Sequence, residues 1–258
     1  MRAGMGVDTL TPGLIAIACL VAWIAGFVKG AVGFAMPLIL LSGLSLVMDP
    51  RLAIAGLLIP TFASNLLQIA RAGRAEARAA AWDLRLFVLG VCVMVFLVTQ
   101  VVPEIPTRAI YLAVGGPVLA LSLLQLAGPR FSVAPERRRA LDLGVGALAG
   151  TVGGIGGIWG PPTVLYLMAL GVDRARQMAA QGVVYFLGSV MLILGHATSG
   201  LLNRDTVPFS LLLLLPAGLG MWAGFRLGDR MDPARFRTAT LAVLVIAALN
   251  LIRRGIWG

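Results

Sequence analysis

The 258-residue chain is 59% hydrophobic, only 12% charged, and carries a formal charge of +10. That much apolar surface exceeds what a soluble domain hides and marks a membrane protein. The positive charge does not point to nucleic acid, because the arginines sit in short clusters between apolar runs and read as topology signals.

Ten apolar segments follow in chain order, at about 12–28, 34–48, 52–70, 84–102, 107–127, 141–158, 161–171, 175–195, 206–225 and 235–252. The first lacks a basic start and a small-residue cleavage site, so it is expected to be retained. Crossing the hydrocarbon takes roughly 20 residues, which leaves the second and seventh segments short. Each joins its predecessor at a glycine-rich stretch, GFVKGAVG over 26–33 and GTVGGIGGIWG over 150–160.

The two joints are related by an offset of 124, which carries Gly26 to Gly150, Gly30 to Gly154, Gly33 to Gly157, Pro37 to Pro161 and Asp49 to Asp173. With three residues inserted, Pro106 also meets Pro233. An ungapped match of this kind indicates duplication. Five segments per half, an odd number, give the halves opposite orientations. Ten spans place fourteen arginines on the side opposite the N-terminus and six on the N-terminal side, whereas merging each short pair gives eight spans and a split of twelve to eight. The larger bias favours the inverted arrangement, with the arginine-rich side cytoplasmic and both termini outside.

The expected fold is therefore an all-α integral membrane protein of two inverted repeats, 1–129 and 141–258, joined by a cytoplasmic arginine-rich linker at 130–140. Each repeat is a glycine-rich broken helical hairpin, expected to be re-entrant, plus three transmembrane helices. Broken helices survive in a membrane only where protein or water covers the freed backbone. Pro37, and Pro161 with Pro162, suit the starts of two half-helices whose N-termini, with their free N–H groups and positive dipole ends, would cradle an anion near the midplane. The rival role for these glycines is close helix packing.

Lys29, the only lysine, lies inside the first joint. An ionisable residue there is a functional candidate by default, with snorkelling or pairing with the helix C-terminus as the plainer role. Its counterpart is Gly153, so charge would come from one half only. Asn65 matches Ser189 under the same offset, and Ser64, Gln68 and Gln181 lie nearby on the same two helices. Their donors could complete oxyanion coordination, or could tie helices together. Trp23 and Trp159 could wall the cavity or simply pack; Trp82, Trp222 and Trp257 suit the membrane interface. His196 reads as interfacial. All eleven acidic residues fall in loops or at segment edges, with Asp49 and Asp173 reading as helix N-caps. Cys19 and Cys92 sit in apolar segments away from any metal-ligand pattern and read as packing residues. No nucleophile, metal cluster or acid pair lies in the membrane, so neither an enzyme nor a metal or other cofactor is expected.

The stretches GFVKGAVGFAMPLIL and GTVGGIGGIWGPPTVLYLMAL, each followed by an aspartate-bearing turn and a long helix, resemble the TauE/SafE sulfite exporter family over nearly the whole chain. The resemblance implies a plasma-membrane carrier for a small sulfur-containing anion such as sulfite, sulfoacetate or a related organosulfonate. The expected mechanism is alternating access by rocking of one half against the other, with an anion channel as the alternative. Neither joint holds a cysteine, which disfavours a thiol-based thiosulfate relay. The site expected from these readings comprises Lys29, Gly30, Gly33, Phe34, Asn65, Gln68, Gly153, Gly154, Gly157, Trp159, Gln181 and Ser189. The expected partners are the substrate anion and the lipid bilayer, and a homodimer stays open.

Overall fold

The computed structural model describes residues 10–127, 132–228 and 233–257, and among these the chain is helical with no strand. Arg2, Asp8, Arg130, Asp229, Arg230 and Asp232 lie outside the described residues. In chain order the helices are α1 (Pro12–Val32), α2 (Met36–Leu44), α3 (Pro50–Ala72), α4 (Arg74–Asp83), α5 (Arg85–Val101), α6 (Thr107–Ala127), α7 (Arg138–Gly156), α8 (Gly160–Ala169), α9 (Arg174–Thr198), α10 (Val207–Gly228) and α11 (Pro233–Trp257). All except α4 correspond to the ten apolar segments. The additional helix, α4, is too polar to span a membrane, but its Arg- and Ala-rich sequence forms helix readily.

Among the described residues, six helices are long and apolar enough to cross a membrane: α1, α3, α5 with its short extension to Glu104, α6, α9 and α10. By contrast α2 and α8, with 9 and 10 residues, extend only about 14–15 Å, half the hydrocarbon thickness. Local chemistry fixes the helix starts. The Asp49 carboxylate accepts from the Arg51 N–H at 2.8 Å ahead of Pro50, and Asp173 accepts from the Arg176 N–H at 3.0 Å. Both aspartates are N-caps, as expected.

Glycines set the closest packing. On α1, a methyl at Gly26 or Gly30 would enter the carbonyl of Ala217 or Met221 on α10; Gly220 and Gly224 face Trp23 and Phe27 in the same way. Residue numbers rise together along this seam, so α1 and α10 run parallel. The same register joins α7 to α5, with Gly146 on Phe87, Gly150 on Val91 and Gly154 on Val98. Two more parallel contacts follow: α3 with α10, where the Ser210 hydroxyl donates to the Gly56 carbonyl at 2.9 Å and Arg71 lies 4.0 Å over the Phe225 ring, and α5 with α9 through Val91 and Gly188, Thr99 and Gly195. Antiparallel contacts join α3 to α9, through Asn65 on the Tyr185 carbonyl and Ile69 on Gly182, and α6 to α11, through Tyr111 under Arg254 and Gly115 on Ala248. Exchanging α1 with α7, α3 with α9, α5 with α10 and α6 with α11 maps this set of contacts onto itself.

The structure adds burial to one reading of a polar residue, Asp142, and corrects another, His196. Asp142, an edge residue in the sequence, is buried in the second turn of α7, where it accepts from the Tyr166 hydroxyl at 2.6 Å and lies 3.9 Å from Arg138. Arg138 also pairs with Asp83 at 2.8 Å. His196 is fully buried instead of facing an interface, because α9 extends past it and is covered on that side. Trp82, Trp222 and Trp257 are exposed, as interface anchors would be, and the first two carry Arg85 and Arg226 over their rings at 4.9 and 3.8 Å.

Candidate functional site

Both joints are built by the same cap. Gly33 adopts φ 87° and donates its N–H to the Lys29 carbonyl at 2.7 Å, ending α1; Gly157 adopts φ 76° and donates to the Gly153 carbonyl at 2.6 Å, ending α7. This left-handed conformation suits glycine because a side chain would crowd the backbone. Two residues after Gly33, Ala35 also has positive φ, 80°, the only non-glycine to do so among the described residues. An Ala35→Gly variant is expected to gain about 1 kcal/mol by relieving that strain. Thermal unfolding in detergent checks this; a lower midpoint would show that the methyl contributes packing that outweighs the strain.

The joints meet face to face. A methyl at Gly157 would lie 3.5 Å from the Pro37 ring, and one at Gly160 would lie 2.9 Å from the Phe34 ring. Between them lies a cleft lined by Lys29, Phe34, Ala35, Gly157, Trp159 and Tyr185 and by the N-terminal ends of α2 and α8. It has room for about one water.

Lys29 lies at this cleft with 1% of its surface exposed. Its ammonium donates to Asn65 Oδ1 and stands 5.8 Å from the Tyr185 ring centroid. Asn65 Nδ2 in turn donates to the Tyr185 carbonyl at 2.9 Å, which fixes the amide with its oxygen toward the lysine. No carboxylate pairs with Lys29 among the described residues. A neutral amide and a ring face offset only part of the cost of removing an ammonium from water, so the charged lysine is left short of an anionic partner.

The structure separates the expected site residues into groups. Lys29, Phe34, Gly157 and Trp159 line the cleft, and Asn65 holds the lysine. Gly33 shapes the first joint, and Gly153 makes room for the Trp159 indole, 2.6 Å from where its methyl would be. Gly30 and Gly154 instead pack against α10 and α5, away from the cleft lining, so the close-packing role holds for them. The Ser189 hydroxyl bonds its own helix at the Phe186 carbonyl, 2.8 Å away. Gln68 and Gln181 lie one turn from Lys29 and Asn65. Trp23 is 41% exposed and stacks on Phe27, so it does not wall the cleft.

Two features escaped the sequence reading. Tyr185 stacks with Trp159 at 6.1 Å and its buried hydroxyl has no partner among the described residues. Its spacing of four from both Gln181 and Ser189 was the available signal. The N-terminal cradle is also uneven: Pro161 and Pro162 deprive α8 of two N–H groups where α2 loses one at Pro37.

A multi-helix membrane protein with a desolvated cation between two half-length helices has the architecture of a small-solute transporter. A model of the family described as sulfite exporter TauE/SafE matches residues 18–251, and the chain belongs to that family of membrane transporters. No curated protein and no solved structure matches the chain.

Proposed function

We propose that the protein is a secondary transporter that moves a small sulfur-containing anion, such as sulfite, sulfoacetate or a related organosulfonate, across the plasma membrane by alternating access. The observation that carries this reading is Lys29, a buried ammonium without a carboxylate partner among the described residues, placed where the two joints meet. An oxyanion is the complementary charge; the α2 N-terminus lies beside it to orient its oxygens, and Asn65 positions the lysine through Oδ1. The sulfur chemistry follows from family membership.

Helix directions support an inverted repeat: α1 and α3 run with α10, against α5, α7 and α9, so exchange partners run in opposite senses. The half-length of α2 and α8 supports re-entrant hairpins. Arginines at the end of α3, the starts of α5, α7 and α9 and the end of α10 fall on one side, which supports a cytoplasmic face there and termini outside.

The cleft's small size favours a carrier over a channel, since a channel needs a continuous wet path. Reconstitution into liposomes with sulfite, sulfoacetate, taurine, thiosulfate and sulfate, with and without a pH gradient, tests the proposal. Saturable uptake with counterflow for at least one sulfur anion is expected; flux that rises linearly without counterflow would make the protein a channel, and no flux would refute transport of these anions.

A further inference from the structure

One helical turn beyond Lys29 and Asn65 lies a second polar level. Since α1 and α3 run in the same direction with Lys29 against Asn65, the next turn brings Gly33 level with Gln68. The antiparallel α9, with Gly182 against Ile69, sets Gln181 at this height as well. Gln181 Oε1 would lie 3.1 Å from a methyl at Gly33, so the bare glycine is what admits the carboxamide to the joint.

Both glutamines are buried, 4% and 3% exposed. Neither amide atom of Gln68, nor Oε1 of Gln181, has a partner among the described residues. A carboxamide removed from water and left unbonded is costly, and inside a membrane it has no solvent to fall back on. Interhelical hydrogen bonding, the ordinary role of such residues, would have paired these atoms.

We propose that Gln68 and Gln181, beside the bare Gly33, form a second binding station for the transported sulfur oxyanion, between the Lys29 cleft and the arginine-rich side. This rests on the transport reading above. The unpartnered Gln68 Nε2 donates to S–O oxygens without adding charge, and Gln181 joins it once its carboxamide turns to present Nε2 in place of Oε1, so the station binds more weakly than the ammonium. A weaker step next to a strong one lets an ion leave a site that holds it tightly. Met178, which also packs against Gly33, covers this level from the side of the α9 N-terminus.

The test uses the full chain in proteoliposomes of sorted orientation, with sulfite and sulfoacetate as probes and Gln68→Leu and Gln181→Leu as variants. The half-saturating concentration for anion offered from the arginine-rich face is expected to rise at least about tenfold in each variant. For anion offered from the opposite face it is expected to stay unchanged. Thermal stability is expected to hold or increase, because leucine fills the space without an unpaired amide. Unchanged half-saturation at the arginine-rich face, an equal rise at both faces, or a drop in stability that accounts for the transport defect would each overturn the second station. Absence of wild-type flux for every anion tested would overturn the transport reading and the station with it.

Discussion

A Lys29→Met variant is expected to bind the transported anion at least about 30-fold more weakly, and to lose transport at concentrations that saturate the wild type. Removing one partner of a buried, hydrogen-bonded charge pair costs about 2–5 kcal/mol, and each 1.4 kcal/mol is a factor of ten. The same substitution is expected to leave thermal stability unchanged or raise it, because it removes a desolvated ammonium compensated only by Asn65 and the Tyr185 ring. The opposite signs distinguish a ligand-binding lysine from a structural one. Equilibrium binding to purified protein and thermal unfolding in detergent read both effects. Unchanged affinity for every transported anion would remove Lys29 from the site.

The Gly30→Val substitution is expected to be the most damaging to the fold. Its Cβ would enter the Met221 carbonyl of α10, which is backbone and cannot rotate away, so α1 and α10 must separate. Overpacking of this kind costs about 1–3 kcal/mol or more, and separating a seam carried by Gly26, Gly30, Gly220 and Gly224 places this variant at the upper end. The matched control is Gly116→Ala on α6, where nothing lies within 4 Å of the added methyl; it is expected to gain about 0.5–1 kcal/mol from helix propensity. Thermal unfolding of the pair checks the contrast, and equal midpoints would show that the seam yields without cost.

Much of this architecture was legible because two stretches 124 residues apart carry the same signals. The 124-residue offset paired Gly33 with Gly157 and Asp49 with Asp173, and each pair performs the same job, as helix cap at the joint and as N-cap beyond it. Lys29 was legible because a lone charge in an apolar run has few explanations. The glycines were harder to sort, since one residue type serves as cap, packing notch and room for a neighbour; Gly33, Gly30 and Gly153 do these three things within matching stretches. Nothing in linear spacing says which distant helix lies alongside α1, so the α10 contact and the packing role of Gly30 needed three dimensions. The burial of Asp142 and His196 was hidden for the same reason: a segment's edge in sequence becomes an interior position when α8 or α7 covers it. The helix α4 was missed because the search for spans passes over arginine-rich stretches.

The glycine seams constrain how such a carrier could move. The tightest backbone approaches, α1 on α10 and α7 on α5, each tie a broken helix of one half to a long helix of the other. A carbonyl seated in a glycine notch resists sliding, so each seam travels as a unit. If the carrier works by rocking, as proposed, the moving bodies would be two composites, α1 with α10 from the beginning and end of the polypeptide and α5 with α7 from its middle, and neither would coincide with one half of the chain.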